Sequence, residues 1–268
     1  MAANLEVLRE QTRQLAEQFR QNGQPEIADT LETGPVVVFN DQAIIARKLG
    51  LEQFSKPTIG ARQLISQDLK EVVAKQIDRF IEKYGFHREV YPRLSDGEAT
   101  AQYRRDFGLP ESVFQPAEYA GRFDTVLVIE PRISLSRKYA IAGIREWIDT
   151  STITDSTKYP DTPPYLTFTH DAQKYRPYSV KQALTMFAED EVGIPLNEVT
   201  DHYLLLPEDF GKRGMVGMDA AGSRSGGGDV PCLYLLRGGP GVYADFIDDP
   251  ARHWGTGSRG KEVIKLGV

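Results

Sequence analysis

The tripeptide Gly-Ser-Arg occurs twice, at 222–224 and 257–259, each time within a glycine-rich stretch. Arginine presents a planar fork of five N–H donors that fits a carboxylate or a phosphate, and serine adds a hydroxyl. Glycine lets backbone amides approach a ligand closely. Ser223, Arg224, Gly257, Ser258 and Arg259 are therefore the candidate ligand contacts, and the chemistry they suit is capture of a small anion, phosphate- or nucleotide-like. The loops at 222–228, 238–241 and 255–260 would build the site. The same composition also makes plain surface turns whose arginines form solvated ion pairs. For one ligand to touch both arginines, the tripeptides must lie within about 15 Å, the reach of two extended side chains.

Other residue sets suit other chemistry. His253 lies just before the second tripeptide, and histidine is the natural general base near neutral pH. With Ser223 or Ser258 as nucleophile and Asp219 or Asp245 to orient it, His253 would make the protein a hydrolase or transferase. His170, Glu198 and His202 are candidate metal ligands, since Glu198 and His202 sit four apart on one helix face. A solvated Glu–His contact is the blander reading of that pair. Cys232 falls in an apolar run and reads as a small buried hydrophobe. Gly255–Gly260 matches G-x-G-x-x-G, but a dinucleotide fingerprint needs a following helix and a later acid. Eight residues remain after Gly260, too few for either. No residue pattern names a cofactor.

Several elements must position these residues. Leu64, Ile65, Leu69, Val72, Val73, Ile77, Phe80, Ile81 and Tyr84 recur at helical spacing, which predicts a helix over 61–84 closed by Gly85. Its apolar stripe reads as core, or as a surface for a partner protein in a non-catalytic interaction module. The Thr/Ser/Asp/Pro-rich stretch 149–163 reads as an irregular loop, suited to a lid or a partner contact. Phe123–Ile129, Tyr165–Thr169, Val216–Ala221 and Pro231–Leu236 read as strands. Helices are expected over 4–21, from Asn40 or Asp41 to about Leu49, from Ser95 to Phe107, from Ser134 or Ser136 to about Ile144, after Ser179, and after Pro195. A strand is expected at 35–39, and a last short helix from Asp249. Glu189-Asp190-Glu191 reads as a solvated acidic loop, because acids after a helix oppose its dipole.

The whole is an α+β chain. A mainly helical part, 1–120, packs on a mixed, mainly antiparallel sheet formed by 121–268, and the two can form one continuous domain. At 268 residues the chain can bury a large core. A formal charge of −6 argues against broad nucleic-acid binding. A single cysteine excludes an internal disulfide and fits a reducing, cytoplasmic setting. No apolar run approaches the roughly 20 residues of a membrane span, so a soluble protein is expected.

The order of Phe123–Pro131, Pro164-Tyr165-Leu166, Asp171, Pro195-Leu196-Asn197-Glu198, the Gly-Ser-Arg run ending at Arg224, Val230-Pro231-Cys232-Leu233 and Trp254–Ser258 resembles an uncharacterised bacterial family of domains of unknown function. The resemblance covers about residues 123–260. It implies a domain of that kind and no particular reaction, since the family's members have no assigned activity. The Ser225-Gly226-Gly227-Gly228 insertion and the single cysteine depart from the family's pattern.

Overall fold

Leu69, Val73, Ile77 and Phe80 share one side of a helix, and in the computed structural model all four are buried along α1 (Ser66–Glu82). Described are residue 20 and residues 66–110, 114–160, 163–170, 172–176, 178–214, 217–236, 238–249 and 254–267. Contacts divide the chain into Met1–Ala61 and Arg62–Val268, and every described residue except Arg20 belongs to the second unit. The strand expected at 35–39 and the helix to Leu49 lie outside the described residues, as do all but Arg20 of the 4–21 helix and the segment after Asp249 that leads to Trp254.

After α1, Gly85 adopts φ +66°, left-handed backbone that ends the helix. α2 (Phe86–Val90) and α3 (Asp96–Asp106) follow; a capping box closes the start of α3, with the Ser95 N–H donating to Glu98 at 3.0 Å. Next come β1 (Thr125–Ile129), α4 (Leu135–Ala142), β2 (Arg145–Glu146), β3 (Thr154–Asp155) and β4 (Tyr165–Thr169). Then α5 (Val180–Met186) is capped by Ser179, β5 spans Glu191–Gly193 and α6 spans Leu196–Leu205. The remaining strands are β6 (Gly217–Asp219), β7 (Ser223–Arg224), β8 (Val230–Leu236), β9 (Gly239–Asp245), β10 (Trp254–Thr256), β11 (Ser258–Gly260) and β12 (Ile264–Lys265).

The architecture is α+β, with helices ahead of several mainly antiparallel sheets. One sheet runs β1-β4-β11-β5, with β12 also on β4. A second runs β10-β6-β8-β9-β2, in which β10–β6 and β9–β2 are parallel and the inner pairs antiparallel. β3 and β7 form a third, short ladder. At the edge of the first sheet, β1 leaves ladder groups open, and Gln76 of α1 fills them. Its amide nitrogen donates to the Val126 carbonyl at 2.7 Å, and its oxygen accepts the Val128 N–H at 2.7 Å.

α6 packs on β1 of the first sheet and on β6 and β8 of the second, so it is enclosed on all sides. Leu196, Val199, Leu204 and Leu205 join the main apolar core. Asn197, Glu198, Thr200, Asp201 and His202 are buried with them. Buried charge is tolerated only when partnered, so the partners of this helix determine what the surrounding loops must do. Among the described residues no helix is long and apolar enough to cross a membrane.

Candidate functional site

Both Gly-Ser-Arg tripeptides meet the same stretch of chain, the lead-in to α6. The Gly222 N–H donates to the Ile194 carbonyl at 2.9 Å, and the Ile194 N–H donates to the Gly257 carbonyl at 3.2 Å. One peptide segment thus bridges the two tripeptides. The point where they converge is filled by that segment rather than left hollow. At Gly222 a side chain would run into backbone, and at Gly257 into the Ile194 side chain. A Cβ on Gly222 would stand 2.4 Å from the Gly193 carbonyl oxygen, and one on Gly257 would stand 2.3 Å from Ile194 Cδ1.

The serines complete this clamp. Ser223 Oγ accepts the Leu196 N–H at 2.8 Å, so it caps the first turn of α6 from outside the helix, and it donates to Asp155. Ser258 Oγ donates to Glu191 and stands 2.6 Å from His170 Nε2. The Ala172 N–H donates to His170 Nδ1 at 2.8 Å, which leaves the proton of a neutral ring on Nε2 and directs it at Ser258. That polarity is opposite to the one a nucleophilic serine needs, because the base must take the hydroxyl proton. Both serines are fully buried and both give their protons to carboxylates. Asp219 and Asp245, proposed from sequence to orient a base, bond neither serine. His253 lies outside the described residues.

The arginines divide. Arg259 is 1% exposed; its Nε donates to both oxygens of Glu198 at 3.0 and 2.9 Å, and one terminal nitrogen donates to the Gly260 and Lys261 carbonyls at 2.8 and 3.0 Å. Its fork is occupied, which removes it from the anion-gripping role its sequence context suggests. Arg224 is half-buried on β7, and one terminal nitrogen donates to the Ala221 and Ser223 carbonyls at 3.0 and 2.6 Å. Burial pulls its pKa down. Within the neighbouring stretch, residues 149–160 carry more regular structure than their composition suggests. β3 pairs with β7, Thr154 opposite Arg224, and Thr157 Oγ1 donates to the Gly193 carbonyl at 2.7 Å.

The candidate metal ligands are not brought together. His170 turns to Ser258, Glu198 to Arg259 and Tyr165, and His202 Nε2 lies 2.8 Å from Asp209. Among the described residues no group of three His, Cys, Asp or Glu could hold a metal ion. Glu198 and His202 are both fully buried, so the expectation of a solvated pair is corrected: Glu198 is held by Arg259 and Tyr165, and His202 by Asp209. Burial raises the pKa of Glu198, against the pull of Arg259 and Tyr165. In the acidic loop 189–191, Glu189 is exposed as expected, and the reading is corrected for Glu191. Glu191 has a fully buried side chain and takes hydrogen bonds from Ser258, Tyr175 at 2.9 Å and Lys174 at 3.1 Å. Although burial pushes its pKa up, Ser258 and Lys174 hold it below the usual value.

Two further charged groups escape a reading of spacing. Lys138 of α4 is fully buried, and its ammonium donates to Asn197 at 2.7 Å and Asp201 at 2.6 Å. Burial lifts Asp201 to about 6 against the pull of Lys138. Glu130, at the end of β1, is held by Arg132 through two contacts of 2.8 and 2.7 Å. The only signal for these in the sequence is a charge abutting an apolar run. Asp219 differs from all of them, being 5% exposed with no hydrogen-bond or ion-pair partner among the described residues. Burial, and then the nearby charge of Asp245, push its pKa well up. A raised carboxyl contributes stability below its unfolded pKa and loses it as pH rises. Asp219→Asn, which stays neutral, is therefore expected to match the parent near pH 4 and to exceed it by about 1–3 kcal/mol at about pH 8. Thermal melts at the two pH values check this, and a variant that melts lower than the parent at the higher pH contradicts it.

A groove of about 440 Å³ opens between the end of α1 and the start of α3, lined by Tyr84, Gly85, His87, Arg88, Asp96 and Thr100 among others. None of the residues expected to bind ligand lines it. Arg88 and His87 hydrogen-bond Asp96 there and pull its carboxyl down to about 2. Compared with models of known families, with curated proteins and with solved structures, the chain matches none.

Proposed function

We propose that this protein binds a small oxyanion at the turn between β7 and β8, with Arg224 as its charged contact. The observation that carries the reading is the state of that guanidinium. Arg122, Arg132 and Arg259 each hold a carboxylate, whereas Arg224 holds two backbone carbonyls and has no acidic partner among the described residues. A half-buried cation without a counter-charge is destabilised, and an arriving anion relieves that cost. The surroundings suit such a ligand. Gly226, Gly227 and Gly228 are exposed in that turn, Thr152 lies against Gly226, and Thr154 pairs with Arg224. Backbone amides and hydroxyls of this kind line anion nests. The role falls to one arginine rather than to two, because Arg259 is committed to Glu198.

The apolar stripe of α1 is buried in the protein's own core, which leaves that helix only its polar side for a partner, and so binding of a small molecule is the better-supported reading. Thermal-shift titration with phosphate, sulfate, nucleotides and carboxylates tests it. At about 100 times Kd a ligand adds about 2.7 kcal/mol, equivalent to a rise in Tm of roughly 5–11 °C at this chain length. The rise should vanish in Arg224→Gln while the melting point without ligand stays within a few degrees of the parent. A rise that survives Arg224→Gln moves the site elsewhere, and no rise with any of the four classes ends the proposal.

A further inference from the structure

We propose that Lys138 and Asn197 become joined by an intramolecular isopeptide bond, formed by the protein itself with Asp201 as the proton carrier. Among the described residues Lys138 is the one fully buried lysine, and its ammonium donates to Asn197 Oδ1 at 2.7 Å and to Asp201 Oδ1 at 2.6 Å. α4 packs on α6, and Asn197 and Asp201 stand four apart on α6, so they share one face and a single side chain from α4 meets both. A carbonyl carbon lies about 1.2 Å behind its oxygen, which places Asn197 Cγ about 3–4 Å from Lys138 Nζ, close to a near-attack distance. The Glu130 N–H donates to the other Asp201 oxygen at 2.9 Å and fixes the carboxylate beside the amine. An amine, an amide carbon and an acid–base group are thus held together in the core, where their encounter costs no further ordering.

In freshly folded protein the ion pair is the resting state, and an ammonium has no lone pair with which to attack. Burial favours the neutral forms of both groups. Asp201, lifted by burial to about 6 despite the pull of Lys138, takes a proton more readily than an ordinary aspartate. Transfer of one proton from Nζ to Asp201 Oδ1 leaves a neutral amine against the Asn197 amide. Its lone pair forms the Nζ–Cγ bond while the carbonyl π pair moves onto Oδ1. Asp201 hands its proton to the amide nitrogen and takes the second proton from Nζ. The pair on oxygen returns, the Cγ–Nδ2 bond breaks, and ammonia leaves, carrying the last proton away as ammonium. The products are a secondary amide between α4 and α6 and the Asp201 carboxylate as it began; no oxidant, metal or water is consumed. Asn197 is 7% exposed where Lys138 and Asp201 are 0% exposed, so ammonia forms on the solvent side of the cluster. The bond accumulates slowly, because the neutral pair is the minor form. None of this rests on anion binding at Arg224.

Intact mass spectrometry of the full chain, fresh and after several days at neutral pH below its melting temperature, tests the proposal. The expected result is a growing species lighter by about 17 Da, one ammonia, whose digest contains a peptide cross-linked between Lys138 and Asn197. That species should also melt above the unconverted chain, because the bond closes a loop of 59 positions. Asn197→Ala should yield no such species, and Asp201→Ala should form it about a hundredfold more slowly or not at all. The proposal is overturned by a parent chain that never becomes lighter, or by a loss of about 18 Da, which marks a bond to a carboxylate instead. It is equally overturned by ammonia loss without the cross-linked peptide, which is an asparagine closing on its own backbone, or by an Asp201→Ala protein that converts at the parent's rate. Should Asp201→Ala fail to fold, the parent and Asn197→Ala decide alone, and a cross-link to Lys138 that persists in Asn197→Ala sinks the assignment.

Discussion

Arg259→Ala is expected to destabilise the protein by about 3–5 kcal/mol, a large part of the stability of an ordinary domain. The cost comes less from the lost attraction than from what is left behind. Glu198 is fully buried in the middle of the core, with Arg259 and Tyr165 as its partners. Without the guanidinium its carboxylate faces only the Tyr165 hydroxyl, and the Gly260 and Lys261 carbonyls lose their donor as well. Arg259→Lys should rescue little. A single ammonium cannot reach both Glu198 oxygens and two carbonyls from one position, whereas a planar fork can. The double variant Arg259→Met, Glu198→Leu should recover a good part of the loss, since a packed apolar pair can replace a buried ion pair at little cost. Urea unfolding of the three variants measures this. A loss below about 1 kcal/mol in Arg259→Ala would mean that the pair is solvated, and the clamp around α6 would have to be abandoned.

Lys138→Met is expected to cost a similar amount, about 3–5 kcal/mol near neutral pH, with a distinct pH dependence. Lys138 and Asp201 are both fully buried, and Asn197 shares the ammonium. Asp201 already sits at about 6, above its ordinary 3.8, because burial outweighs the pull of Lys138. Its folded pKa exceeds its unfolded one, so the parent holds this contribution fully below about pH 4 and loses it as pH rises through about 6. Removing the lysine raises the folded pKa further. The variant should then lie close to the parent in acid and fall progressively behind it as pH increases. Urea midpoints at about pH 5 and about pH 8 resolve the difference. A penalty equal at both pH values would place the cost in lost packing of the lysine stem rather than in the stranded carboxylate. Lys138→Met combined with Asp201→Leu should remove the pH dependence altogether.

Local pattern carried far in this chain, and the elements show where it stopped. The stripe from Leu69 to Phe80 marks α1, the alternation of Tyr165–Thr169 coincides with β4, and Ser134, Ser179 and Pro195 stand at the starts of α4, α5 and α6. Each of these signals lies within a few residues of the element it specifies. The short strands were not legible. β5, β9, β10 and β11 are rich in glycine, and 238–241 and 255–260 read as loops by composition. Glycine has low strand propensity, and such strands exist because distant partners hold them, as Gly193 and Val192 hold Ser258 and Arg259.

The residue types of the site were equally plain, but their roles were not. Repetition of Gly-Ser-Arg marks a place where backbone comes close and donors gather, and the sequence by itself determines that much, together with the helix and strand periods and the single buried cysteine. Tertiary structure alone decided which arginine remains free of an acid. Arg224 and Arg259 sit in near-identical local sequence, yet Glu198 lies 61 positions from Arg259 and is delivered to it by the β5–α6 turn. Ion pairs of that separation are set by how sheets close around a helix, a property of the packed whole. For the same reason spacing matched Glu198 with His202, while packing gave one to an arginine of β11 and the other to Asp209, a few residues past the helix.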